Sequence, residues 1–351
     1  MAAGDTLVFI GLRVLNRIRT ARILVCCFLV AGACKDVPSP TVEPGNPEWR
    51  AYTRQNSGLV SDSVNTIGVT IQNEKWFGTE LGLSRLNAQT WTTYTTSNSN
   101  LRTNRITAIA QGRDGSVWVG TAGGGLARYN TADPGGPWQT YGRAEGVPDE
   151  FIHGIAVNQF GDVFVATNGG VGRFTPASNY TGTWQTYTTN DGLPASIITA
   201  IAADSRNDIW VGTISSGAGR FDGSVWSTLL LPVGFQVRIT SIAVDANNAK
   251  WFGTWDGAYR LTTALQWASF SQVDGLVDRH VNTAALDLQG NVWFGTDRGL
   301  SKFDGSRWTS FMTSNSGLIS DLVNSANCDV RGNMWFGSQT GISQFNEHGI
   351  R

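Results

Sequence analysis

Among the side chains of this 351-residue chain, three histidines, four cysteines and one out-of-place tryptophan are the ones most able to do chemistry. His280 follows Arg279, and Asp297 and Arg298 come seventeen and eighteen positions after it. An imidazole held beside a carboxylate is the smallest unit of general acid–base catalysis. His280 with Asp297, or with Glu150, therefore defines the enzymatic alternative, a lyase or hydrolase. His348 lies in the last few residues, and His153 falls where the other repeats hold Asn or Thr, so neither supplies a second imidazole to it. No Cys/His cluster has zinc spacing, no acidic run follows the EF-hand pattern, and no glycine-rich loop precedes a helix to cradle phosphate. We therefore expect no metal and no cofactor, and a binding protein rather than an enzyme. Trp255 with Asp256 is the strongest pointer to binding, because an exposed aromatic can stack on a sugar ring while an acid takes its hydroxyls. Arg279, His280, Asp297 and Arg298 come from the same stretch of repeats and complete a patch suited to a polar neutral ligand. Glu80, Arg105 and Glu150 occupy aligned positions in other repeats and extend the candidate binding surface.

The elements that must position these residues are set by a repeat. A tryptophan opening a short β-prone stretch recurs at Trp49, Trp91, Trp138, Trp184, Trp226, Trp267 and Trp308, at intervals of 41 to 47 residues. Inside each period lies a second signal: KWFGT at 75–79, VWVGT at 117–121, VFVAT at 163–167, IWVGT at 209–213, KWFGT at 250–254, VWFGT at 292–296 and MWFGS at 334–338. A glycine turn and a further strand follow, as in GLARY at 125–129 and GLSKF at 299–303. Four short strands per unit, seven times over, predict an all-β, seven-bladed β-propeller with four antiparallel strands per blade. Trp255 is the one tryptophan of the fourteen outside the two repeated positions. The last unit ends after its third strand, and an orphan fourth strand begins at Trp49. The N-terminal strand is thus expected to complete the last blade and leave the ring without a free edge. Strand alternation puts the loop before each first strand and the loop between second and third strands on one face, the expected binding face.

Composition narrows the class. Hydrophobic residues make up 41% and charged residues only 15%, against roughly 25% in ordinary soluble domains. With 26 Lys+Arg against 27 Asp+Glu, the chain is not a polybasic nucleic-acid binder. Residues 1–22 carry four arginines, and the apolar run ILVCCFLVAGA at 23–33 is too short for a permanent membrane span. Residues 1–33 read as a signal peptide. Cys34 directly follows Ala31-Gly32-Ala33, an arrangement that resembles the lipobox of bacterial lipoproteins, with Ala31 where Leu is commonest. That resemblance implies lipidation at Cys34; ordinary cleavage after Ala33 is the alternative. Residues 34–47, with four prolines, read as an extended tether, and 48–351 as the propeller. Cys328, in an apolar strand pattern, is expected to be a small core residue.

The pattern I-x-x-I-A-x-D-x-x-G-x-x-W-x-G-T-x-x-G-L-x-[RK]-[FY], present in pieces at Ile106–Tyr129 and Val281–Phe303, closely resembles the two-component regulator propeller repeat. The resemblance covers residues 48–351, with the third and fifth units the most divergent. That repeat builds the periplasmic sensor region of hybrid two-component systems in Bacteroidetes-like bacteria, where the propellers bind ligands, often glycan fragments. The resemblance implies a glycan or peptide ligand, or a partner protein, in the cell envelope, with the outer membrane reached through the lipid on Cys34. One propeller rather than two, and no recognisable kinase or DNA-binding region, imply a module that does not signal alone. Streptogramin lyases, also seven-bladed, use a histidine with a metal; here no second histidine and carboxylate pair in sequence.

Overall fold

The computed structural model describes residues 48–132, 138–177, 181–232, 234 and 236–350. The expected signal peptide, Cys34 and the tether lie outside the described residues. Seven four-stranded antiparallel sheets form, each ordered from an innermost first strand to an outermost fourth. The innermost strands are Val64–Val69, Ile106–Gln111, Ile152–Val157, Ile198–Ala203, Ile239–Val244, Val281–Leu286 and Val323–Cys328. Each lies against the next, and the seventh returns to the first, so the sheets close into a ring.

Closure happens where the register predicts. Trp49–Tyr52 pairs antiparallel with Ile342–Phe345, placing Trp49 opposite Phe345 and Tyr52 opposite Ile342. The Trp49 ring packs 4.6 Å from Phe345 and 5.9 Å from Phe311. Tyr52 stacks 5.5 Å from Trp335 and donates its hydroxyl to Gln344 at 2.8 Å.

The core is not central. It is seven slabs, each clamped between neighbouring blades. The slab joining the first two blades holds Trp76 and Leu83 from one, with Ile106, Val119 and Tyr129 from the other. This is why the second strands read as unbroken apolar runs: all are buried on both faces. Their glycine is needed for close approach. A Cβ at Gly120 would fall 2.5 Å from Ile152 of the next blade, and one at Gly337 would fall 2.7 Å from Val64.

The second-strand tryptophans are anchored by the turns before them. Trp210, Trp251, Trp293 and Trp335 donate Nε1–H to Asp204, Asp245, Asp287 and Asp329 at 2.9–3.0 Å. The other oxygen of each carboxylate accepts backbone N–H groups of its own turn. Lysines then staple neighbouring blades, Lys250 to Asp204 at 2.6 Å and Lys75 to Asp329 at 3.3 Å. Burial opposes the Asp329 charge. Hydrogen bonds from Asn333 and Trp335, and the Lys75 ammonium, outweigh it and hold the carboxyl below its ordinary value.

Each innermost strand carries a β-bulge at its second residue. A bulge redirects one side chain, and here it aims a polar one at the next blade. Asn65, Thr107, Thr199, Thr240, Asn282 and Asn324 each donate to the first-residue carbonyl of the following innermost strand, at 2.5–3.4 Å. His153 holds the seventh position but bonds Asn168 of its own blade at 2.8 Å. The belt is therefore broken between the third and fourth blades. At the same junction Ala166 replaces the close-approach glycine and is buried in one cluster with Ile198.

Candidate functional site

Loops preceding the innermost strands and loops joining second to third strands share one face, as expected. The short loop after Thr254 is tight: its Oγ1 accepts from Asp256 N–H at 3.0 Å and donates to the Gly257 carbonyl at 2.8 Å, and Gly257 takes φ 91°. Trp255, at the tip of this loop, stays 50% exposed. Its N–H donates to the Arg238 carbonyl at 3.1 Å, which ties the loop to the chain entering the same blade.

Around the indole, Arg238 holds its guanidinium 5.0 Å from the ring centroid, a cation–π contact. The His280 ring lies 6.2 Å from the indole at 40°. Trp255, Asp256, Arg279 and His280 line one open depression of about 440 Å³, together with Arg238, Gln236 and neighbouring apolar side chains. Four of the nine residues expected from sequence thus meet in one place.

Asp297 stands behind His280. Its carboxylate meets His280 Nδ1 at 3.2 Å and accepts from Asn282 at 2.9 Å. Arg298 is turned the other way and pairs with buried Asp278 at 3.1 Å. Asp278 also accepts the His280 backbone N–H at 2.8 Å and so fixes the approach of that strand. Arg238, Arg279 and the Asp256 carboxylate make no ion pair among the described residues. Below them, burial first and the Asp256 charge second raise the Tyr259 phenol, which remains a neutral donor to the Asp256 carbonyl at 3.1 Å.

The other three expected residues do not join this group. Glu80 and Arg105 pair with each other at 3.2 Å across the first two blades. Glu150 accepts the Arg143 N–H at 3.1 Å at the second-to-third blade junction, and its other oxygen is buried without a hydrogen bond. A pairing of Glu150 with His280 is therefore not made. Among the described residues, no group of three or more His, Cys, Asp or Glu is placed to hold a metal. Arg238 is the residue missing from the expected set. Its signal was available, since it occupies the aligned position just before an innermost strand, the same position as Arg105 and His280.

The family model described as two-component regulator propeller matches residues 100–123 and 192–215. Both segments run from the loop before an innermost strand through the second strand, the part of the repeat with the bulge and the close-approach glycine.

Two segments of this chain are similar to the two-component regulator propeller repeat.

Solved structures agree on the fold of this propeller. The extracellular domain of a putative hybrid two-component system from B. thetaiotaomicron matches with a TM-score of 0.74 at 21% identity, over 86% of this chain and 41% of that one. This chain thus spans about two fifths of that domain's length. Virginiamycin B lyase from Staphylococcus aureus matches with a TM-score of 0.67 at 14% identity, over 84% of this chain and 98% of the lyase. PorZ, a surface component of the type-IX secretion system of Porphyromonas gingivalis, matches with a TM-score of 0.65 at 16% identity, over 82% of this chain and 47% of PorZ. No curated protein sequence matches this chain.

Proposed function

We propose that this protein is a cell-envelope binding module that captures a glycan fragment on the face around Trp255. The observation that carries the reading is the half-exposed indole, flanked by Arg238 and His280 and ringed by polar groups not spent on one another. An indole face offers stacking for a sugar ring, and the arginines and Asp256 offer hydrogen bonds to its substituents. The charge balance differs from the sequence expectation of a neutral ligand. Asp278 and Asp297 are occupied by Arg298 and His280, which leaves two unpaired arginines against one unpaired carboxylate. A glycan carrying a carboxylate is therefore favoured over a neutral one. The basic leader, the apolar run and Cys34 support secretion and lipid anchoring, and extracellular relatives of the same fold are consistent with an envelope location.

Binding is tested by thermal shift and calorimetry against acidic and neutral oligosaccharides. Trp255→Ala is expected to weaken binding by tenfold or more while leaving the melting temperature within about 1–2 °C, because an exposed side chain contributes little to folding. Unchanged affinity in this variant would remove the site.

His280 against Asp297 supports a second reading, a lyase or hydrolase with the imidazole as base. Turnover of a captured glycan that persists in His280→Ala would sink it.

A further inference from the structure

The opposite face of the ring is built from the turns between first and second strands and the turns between third and fourth strands. We propose that this face docks flat onto an anionic phospholipid surface, with apolar turn tips entering the headgroup region and arginines meeting lipid phosphates.

The tips carry both apolar and cationic side chains. The outermost positions of these turns hold Ile71, Phe160, Leu288 and Val330, exposed to 78, 77, 63 and 52%. Exposed Arg113, Arg206 and Arg331 stand among them. In ring order, the first blade carries Ile71, the second Arg113, the third Phe160, the fourth Arg206, the sixth Leu288, and the seventh Val330 with Arg331. Apolar and cationic tips therefore alternate around most of one circle.

These tips share one rim. Residues of the first five blades, Ile71, Arg113 and Asn158 among them, line a single opening of about 510 Å³. Tips of neighbouring blades are tied together. The Ile71 N–H donates to Gln111 at 2.8 Å, and the Gln159 N–H donates to Asn207 at 2.8 Å. A rigid ring presents its tips together, as a planar target requires.

Charge at the turns between first and second strands is one-sided. Every carboxylate in the turns between first and second strands is already committed, whereas Asp222 and Asp304, in turns between third and fourth strands, are exposed and accept only backbone N–H groups and the Ser306 hydroxyl. Glu74 pairs with Arg85, Asp114 with Arg128, Asp162 with Arg173 and Asp208 with Arg220. The rest hold tryptophan N–H groups. The three tip arginines make no ion pair among the described residues. Uncompensated arginine beside exposed aliphatic and aromatic side chains is the chemistry of an interfacial membrane contact.

Chain geometry agrees. Glu48 leads into the closing strand from this same side, with its carbonyl accepting the Asn346 N–H at 2.9 Å. Fourteen residues, 34–47, span at most about 50 Å when fully extended. A lipid on Cys34, as proposed above, would hold this face toward the bilayer and leave Trp255 pointing away from it. The docking itself does not depend on that lipid, so it is tested without one.

The chain from Lys35 onward contains every strand of the ring and no acylation site. It is mixed with vesicles of phosphatidylcholine alone, or with about one third phosphatidylglycerol, at low salt and at about 0.5 M salt, and the bound fraction is read by sedimentation. Binding is expected to the phosphatidylglycerol vesicles only, and to fall in salt. Each basic side chain near such a surface is worth roughly fivefold in partition. The triple variant R113Q/R206Q/R331Q should then lose about a hundredfold. I71S/F160S/L288S should lose at least tenfold, and Trp255→Ala should bind as the parent does. Thermal melts of both triple variants should match the parent, since all six side chains are exposed. Absence of binding by the parent, equal binding to neutral vesicles, or triple variants within threefold of the parent would each overturn the proposal. None of these outcomes bears on glycan capture, which is read separately at Trp255.

Discussion

Trp49→Ala should open the ring. The closing strand Trp49–Tyr52 is four residues long and joins the chain to a strand almost three hundred residues away. Trp49 is its main apolar contact, lying against Phe345, Phe311 and Phe336. A Cβ at Gly317 would fall 2.4 Å from Trp49 Cβ, so the indole is seated against backbone with no slack. A tryptophan buries 150–250 Å² when fully enclosed. Trp49 is only partly enclosed, and at about 25 cal/mol per Å² the side chain is worth about 3 kcal/mol. The same truncation at Trp255, which has no such pocket, should cost about 0.5 kcal/mol or less. For a ring of this size, 3 kcal/mol corresponds to about 5 °C in melting temperature. Because only one strand is released, local opening should precede global unfolding. Amides pairing Trp49–Tyr52 with Ile342–Phe345 should exchange roughly a hundredfold faster, by hydrogen-exchange mass spectrometry, while the first six blades keep their protection. If Trp49→Ala changes that exchange less than about fivefold, or melts like Trp255→Ala, the closing strand is not what holds the ring shut.

Other expectations are more local. Thr107→Ala, which deletes one bond of the interblade belt, should cost about 1 kcal/mol in denaturant melts. His153→Ala should leave contacts between the third and fourth blades intact, because His153 bonds only its own blade; equal costs for the two would discredit the belt. The Asp329 and Asp204 carboxyls are held low against the cost of burial by hydrogen bonds and by Lys75 and Lys250, so the stability they add is complete above about pH 4 and lost as pH falls through their folded values. Asp329→Asn should flatten the acid limb of a melting-temperature profile, and an unchanged acid limb would contradict this. Burial pushes the Cys328 thiol up to about 11, so the native protein should resist thiol reagents at neutral pH and react once unfolded; rapid labelling of the native ring would show an open seventh blade.

The fold was legible because it is written locally and repeated. Buried second strands demand apolar runs, turns demand Asp and Gly, and close approach of blades demands the glycine of the repeated W-F/V-G-T string, so each unit declares its strands without reference to the others. Closure was equally readable, since a leftover third strand at 342–345 and a leftover fourth at 49–52 have only each other to pair with. The candidate site was legible in part. Trp255, Asp256, Arg279 and His280 are brought together, because the period fixes which loops share a face and which blades are neighbours. The rest depended on contacts that no period encodes. Arg298 could have faced the depression but turns to Asp278, Glu80 and Arg105 neutralise each other, and Arg238 lies over the indole.

His153 shows the same division from the other side. Its alignment with Asn and Thr correctly placed it at a scaffold position, while its failure to reach the next blade follows from an imidazole turned to Asn168 of its own blade. Sequence alone determined how many blades there are, where each strand lies and which ends meet, because short-range packing and hydrogen bonding impose those on every repeat alike. Only the closed ring decided which charges cancel and which stay available, since that depends on side chains about forty residues apart being carried to within a few ångströms of each other.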